Sequence, residues 1–110
     1  MTPSELPQRY FECVRARDID GLIALYDQDA SFVLPNGREC QGVEAIREMQ
    51  VSVFASGAPF PTPIAIVVGE NSAAAEIEAK MPDGSVRRTA NFWHLNDDGR
   101  IRRLSVYARG

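Results

Sequence analysis

Val86-Arg87-Arg88-Thr89-Ala90-Asn91-Phe92-Trp93-His94-Leu95 is the stretch on which the fold turns. Met81-Pro82-Asp83-Gly84 precedes it and Asn96-Asp97-Asp98-Gly99 follows it. Two turn signals so close together, with β-branched and aromatic residues between them, mark a strand in a meander. Alternation places Thr89, Asn91, Trp93 and Leu95 on one face, and Arg88, Ala90, Phe92 and His94 on the other. The first face is apolar except for a hydroxyl and an amide. A buried Asn must find partners, so Asn91 is either a well-paired structural group or the polar floor of a pocket.

The hairpin before this strand sets its register. Pro-Asp-Gly after Met81 suits a type I turn with Gly84 in the left-handed position, a three-residue loop with a bulge. Met81 then pairs with Ser85, Ile77 lies opposite Thr89, and Ala75 lies opposite Asn91. The inner face carries Ala75, Ile77, Ala79, Thr89, Asn91 and Trp93. The outer face carries Glu76, Glu78 and Lys80 beside Arg88, with Glu78 and Arg88 placed as a cross-strand pair. Alanines beneath a strand that bears Trp93 leave space for helices or a ligand to fill. A slip of one residue would instead swing Glu76 inward against Asn91.

Further strands are expected at Ile64–Val68, Ala73–Met81 and Arg100–Ala108, after a stiff, proline-rich loop at Ser56–Pro63. Upstream, the pattern changes to helical. Ser4 is placed to cap a helix running to about Arg17, with Leu6, Tyr10, Cys13 and Val14 on one stripe. Asp18 caps a second, short helix from Ile19 to Tyr26, which Asp27-Gln28-Asp29 breaks. Ala30 to Leu34 forms a first strand, Pro35-Asn36-Gly37 turns it, and Arg38 to Gln41 is a short partner. Gly42 opens a third helix, about Val43 to Ala55, long enough at some 20 Å to cover a sheet. Helices first and an antiparallel meander after them give an α+β fold, with the helices packed on one sheet face.

Composition sets the outer bounds. The 110 residues suit one domain, 1–110, with 45% hydrophobic and 25% charged content, ordinary for a globular protein. A net charge of −3 and a pI near 5.1 argue against nucleic acid as a partner. The opening Met-Thr-Pro-Ser-Glu resembles no secretory leader, and no apolar run is long enough to cross a membrane, so a cytoplasmic protein is expected. Cys13 and Cys40 are expected to be buried thiols, and with His94 the sole histidine no metal site is anticipated. Asp18, Asp20 and Asp29 suit helix caps and turns better than metal ligation.

Gln8-Arg9-Tyr10, Asp18-Ile19-Asp20-Gly21-Leu22-Ile23-Ala24-Leu25-Tyr26, Asp29-Ala30, Pro35, Gly42 and Ala45-Ile46-Arg47-Glu48 resemble the nuclear transport factor 2-like superfamily. So does the closing Asn96-Asp97-Asp98-Gly99-Arg100-Ile101. The likeness is nearest to ketosteroid isomerases and SnoaL-like cyclases and covers essentially the whole chain. It implies a cone-shaped roll of three N-terminal helices on a strongly curved, mainly antiparallel sheet, with a pocket at the open end and no cofactor. A fold of this kind hosts many functions.

In ketosteroid isomerases a carboxylate base moves a proton, while a Tyr and a protonated Asp hold the developing oxyanion. The resemblance places the Tyr at Tyr10 and the second donor at Asn91, whose amide donates at any pH. It implies a small hydrophobic, oxygen-bearing ligand among Phe32, Leu34, Phe54, Phe60, Trp93, Leu104 and Val106. The base position, immediately before Pro35, holds Leu34, which cannot accept a proton. Two readings follow: an isomerase, cyclase, dehydratase or epoxide hydrolase that takes its base from Glu39 or a slipped Glu76, or a cone that binds without turning its ligand over. A protein-interaction module of the same fold is a third. Val86, Phe92, His94 and Tyr107 form an apolar strip on the convex face, which suggests a homodimer formed sheet to sheet.

Overall fold

The computed structural model describes residues 1–57 and 60–109. Three helices precede most of the sheet: α1 (Leu6–Ala16), α2 (Ile19–Ile23) and α3 (Val43–Ala55). The strands are β1 (Tyr26–Val33), β2 (Glu39–Gln41), β3 (Thr62–Val68), β4 (Ser72–Lys80), β5 (Val86–Leu95) and β6 (Ile101–Ala108). They form one sheet in the order β2-β1-β6-β5-β4-β3, antiparallel throughout except where β1 and β6 run parallel. Register breaks in β1, β3 and at the β5–β6 pairing give the sheet its curvature. Among the described residues no helix is long and apolar enough to cross a membrane.

The register deduced from the Pro-Asp-Gly turn is the register of the protein. Ile77 pairs with Thr89, Ala75 with Asn91 and Glu78 with Arg88. Gly84 takes a φ of 89° and the Met81 N–H donates to the Ser85 carbonyl at 2.9 Å, closing the bulged hairpin. Arg88 reaches Glu78 at 3.1 Å across the outer face. The slipped pairing is therefore excluded, and Glu76 points away from the helices.

Helix boundaries differ in two places. Glu5, not Ser4, occupies the cap position of α1 and makes no side-chain cap, because its carboxylate is held by the Thr2 backbone N–H and hydroxyl at 3.1 and 2.7 Å. The second helix does begin at Asp18, whose carboxylate accepts from Gly21 N–H at 3.0 Å, yet it stops at Ile23. The Ile101 N–H donates to the Leu25 carbonyl at 2.8 Å, so the last strand draws residues 25 and 26 into the sheet. Tyr26 thus begins a strand and does not end a helix. Asp20 lies 3.0 Å from Arg47 and ties α2 to α3. Both cysteines are free thiols, Cys13 buried as expected but Cys40 only half-buried, because it sits on the short edge strand β2. In the loop expected at 56–63, residues 58–59 lie outside the described residues.

One apolar core fills the space between the helices and the concave sheet face. Leu6, Phe11, Leu22, Ile46, Trp93, Ile101 and Leu104 are among its fully buried members. All of these but Phe11, which reaches the cavity described below, close the narrow end of the cone. The wide end, toward the β4–β5 hairpin, is where the core becomes polar.

Candidate functional site

A cavity of about 210 Å³ opens at that wide end. Phe11, Val14 and Tyr10 of α1 form one wall, and Gln50, Val53 and Phe54 of α3 form another. Ile77 and Ala79 of β4, Thr89 and Asn91 of β5, Val106 of β6 and Phe32 of β1 make its floor. Arg17, Arg87 and Pro61 complete the lining. The small Ala79 opposite Arg87, at the end of the hairpin, leaves the opening.

Tyr10 is positioned by its neighbours on the inner side of α1. Its ring meets Trp93 edge-on at 5.5 Å between centroids and Phe11 at 5.8 Å. Contacts of this geometry fix the ring and therefore aim the hydroxyl. Burial pushes that hydroxyl up to about 12, against the opposing influence of the Tyr26 and Gln50 side chains beside it. At neutral pH it is a protonated donor. The Tyr26 hydroxyl is also raised by burial, and among the described residues it finds no hydrogen-bond partner. Tyr10, Tyr26 and Gln50 thus form a buried polar group that the sequence reading did not assemble. The sequence pattern places Tyr26 at the end of a helix, and Gln50 falls within an otherwise ordinary amphipathic pattern.

Asn91 is 6% exposed and its amide faces the cavity. No hydrogen bond joins its side chain to another described residue. The cavity consequently holds a phenol, two primary amides and the Thr89 hydroxyl in a wall that is otherwise apolar except for Arg17 and Arg87. Groups of this kind can hold or polarise one oxygen of a bound molecule.

Of the residues expected to line a pocket, Tyr10, Asn91, Phe32, Phe54 and Val106 do so together. Trp93 and Leu104 share the correct face but are fully buried at the closed end beneath Tyr10, so they support the site without lining it. Leu34 is half-buried against the core at the end of β1, outside the lining. Phe60 is 53% exposed, with its ring 4.6 Å from the Arg17 guanidinium carbon. Neither candidate base reaches the cavity: Glu76 is on the outer face opposite Ala90, and Glu39 is exposed on β2. No Asp, Glu or His is among the described lining residues. Larger grooves lie elsewhere, one of about 490 Å³ beside Glu76, Glu78, Arg88 and Tyr107. Glu78 and Arg88 answer one another there, and of the polar groups described above only Thr89 borders it.

A sequence profile described as the SnoaL-like domain matches residues 8–104. The chain belongs to the SnoaL-like domain family. Sequence comparison with curated proteins finds no match. Among solved structures, this SnoaL-like domain is similar to an NTF2-like protein of unknown function from Mesorhizobium loti. The two share 20% identity with a TM-score of 0.85, over 98% of this chain and 91% of that one. It is similar to SalBIII, described as an epoxide hydrolase/cyclase-like enzyme in pyran ring formation in salinomycin, at 21% identity and a TM-score of 0.83. That match covers 97% of this chain and 90% of the other. A candidate ketosteroid isomerase from Kribbella flavida matches at 18% identity and a TM-score of 0.82, over 96% and 76% of the two chains. At these identities the likeness establishes the NTF2-like fold, and the fold alone.

Proposed function

We propose that this SnoaL-like domain is a ketosteroid isomerase-like protein that binds a small apolar molecule through one oxygen, with Tyr10 and Asn91 as the donors. One observation carries the reading. Both donors line a single cavity in which no carboxylate or histidine is found among the described residues. Donors without a base suit binding, or chemistry that needs only polarisation of a carbonyl or ether oxygen. Epoxide opening by a hydroxyl of the same substrate is such a reaction. The attacking O–H loses its proton as the strained C–O bond breaks, and the new alkoxide gains one. At about 210 Å³ the cavity lies below the usual range for drug-sized ligands, about 300–1,000 Å³, which favours one or two rings over a steroid's four.

The test uses small probes. 2-Naphthol is expected to bind and to alter the fluorescence of Trp93, whose ring touches Tyr10, and Tyr10→Phe is expected to weaken binding about tenfold. Conversion of 3-cyclohexenone to its conjugated isomer is expected to stay at the solution rate. Turnover that collapses in Tyr10→Phe would show that a base exists and overturn the binding reading. If no phenol binds, the cavity has no ligand role.

The same proposal includes a homodimer. Phe92 and Tyr107, with ring centroids 5.6 Å apart, join Val86 and Val67 as exposed apolar groups on the convex face. Sedimentation at micromolar concentration is expected to show a dimer. Only a 12.2 kDa species would sink it.

A further inference from the structure

One buried polar side chain at the cavity has no part in the reading above. Gln50 is 6% exposed and lines the cavity from α3, while Asn91 lines it from β5. Ile46 and Gln50, one turn apart, are the two buried residues of α3, with Val43, Met49 and Phe54 half-buried against the same core. Helical spacing assigns such a position to an apolar side chain. A primary amide there is costly unless both of its ends, the NH2 donor and the carbonyl acceptor, are met.

One end is accounted for. The Gln50 side chain lies beside the Tyr10 hydroxyl and lowers its pKa, in opposition to burial. A neutral amide has that influence by donating its N–H to the phenol oxygen, since such a bond favours the charged form. The Gln50 carbonyl is then the end left over, and among the described residues no hydrogen bond is donated to it. The Tyr10 oxygen accepts in this arrangement, so its own proton remains to be donated into the cavity. Two complementary ends consequently stand side by side at the cavity: a donor, the Tyr10 O–H, and an acceptor, the Gln50 carbonyl.

We infer that the ligand carries an N–H next to the oxygen that Tyr10 and Asn91 hold, the edge of a cyclic secondary amide, and that Gln50 accepts from this N–H and so sets the specificity of the site. The inference rests on the cavity being a ligand site, as proposed above. A ligand with an acceptor oxygen alone would displace water from the Gln50 carbonyl and leave it without a donor. A lactam supplies both partners on adjacent atoms of one plane, and Tyr10 with Gln50 forms the counterpart of that edge. Phe11, Phe32, Phe54 and Val106 give the ring that carries it an apolar surround.

Calorimetry on the full chain with 2-quinolone and coumarin tests this. The two molecules match in shape and in their carbonyl, but the ring N–H of the lactam is a ring oxygen in coumarin. 2-Quinolone is expected to bind at least about tenfold tighter, because coumarin turns an acceptor toward the Gln50 carbonyl. Gln50→Met keeps the length of the side chain and suits an apolar stripe. It is expected to weaken 2-quinolone about tenfold and to leave coumarin unchanged. Equal binding of the two probes by the wild-type chain would overturn the inference, whether or not the variant folds. Equal weakening of both by Gln50→Met would overturn it too, and would make Gln50 a support for Tyr10 with no ligand contact of its own. If 2-naphthol binds and neither 2-quinolone nor coumarin does, the cavity remains a ligand site and the lactam is excluded. If none of the three binds, the cavity reading falls and this inference with it.

Discussion

Replacing Asn91 with leucine separates the two roles that a buried amide can have. The side chains share a branched shape and the same number of heavy atoms, and the cavity beside Asn91 has room for the larger methyl groups, so the substitution changes mainly polarity. If Asn91 were a structural amide, leucine would orphan its partners and cost about 1–3 kcal/mol. The structure shows the other situation: an amide 6% exposed, facing a cavity, with no side-chain hydrogen bond to a described residue. Burial of an unpaired amide costs about 1–3 kcal/mol on mutational scales. Because the cavity is open to water, the lower end applies. Asn91→Leu is therefore expected to stabilise the fold by about 1 kcal/mol, a rise in Tm of roughly 4–5 °C for a chain of this length. The same change is expected to weaken 2-naphthol about tenfold, through loss of one donor to a bound oxygen. Urea unfolding followed through Trp93 and calorimetric titration measure the two effects. A variant destabilised by more than 1 kcal/mol with unaltered affinity would refute the reasoning and make Asn91 a structural group. Opposite signs in stability and binding are a mark of functional residues, which are kept at the expense of the fold.

Two other expectations follow from buried groups. The Trp93 indole N–H has no hydrogen-bond partner among the described residues. Trp93→Phe relieves an orphan worth about 1–3 kcal/mol, loses about 1 kcal/mol of apolar contact, and leaves a cavity of about 40 Å³ costing another ~1 kcal/mol. The net change in stability is expected to be near zero by urea unfolding under circular dichroism, and a loss above about 3 kcal/mol would mean that the N–H is hydrogen-bonded. His94 is held below its ordinary imidazole value by burial first and then by Arg102 and Arg103. The folded state therefore takes up a proton less readily than the unfolded chain, and stability present above about pH 6.5 is lost as pH falls below it. The urea midpoint is expected to drop between pH 7.5 and 5.5, and His94→Gln to flatten that slope; an unchanged slope in the variant contradicts this account.

Much of the fold was legible because short-range chemistry determined it. The Pro82-Asp83-Gly84 turn fixed a register that ran correctly for nine pairs along β4 and β5. Val43–Ala55 and Val86–Leu95 have the boundaries that their patterns implied. Tyr26 was misplaced because Leu22, Ile23, Leu25 and Tyr26 form a short apolar run that suits a helix or a strand. The decision came from a hydrogen bond donated by Ile101, far away in sequence. The site was less legible for a related reason. Alternation gives the face of a strand but not the depth along it. Trp93 and Leu104 share a face with Asn91 and Val106, yet the first pair is fully buried, Trp93 against Tyr10 and Phe11 of α1, and the second lies in the cavity. Arg87 was readable in principle, since the parity that put Thr89 and Asn91 inside also put Arg87 there.

The place of β6 has a consequence for how the protein is made. This strand, the last of the six in the chain, lies between β1 and β5 at the middle of the sheet. During synthesis the helices and five strands emerge before the strand that joins them into one layer. Until it arrives, β1 and β5 each present an open edge and the apolar groups that will meet Ile101 and Leu104 stay wet. The nascent chain can form the β4–β5 hairpin early, but it cannot close its core until Ile101–Ala108 has been made. A product stopped short of residue 101 would carry two unpaired edges and is a natural client for chaperones and proteases.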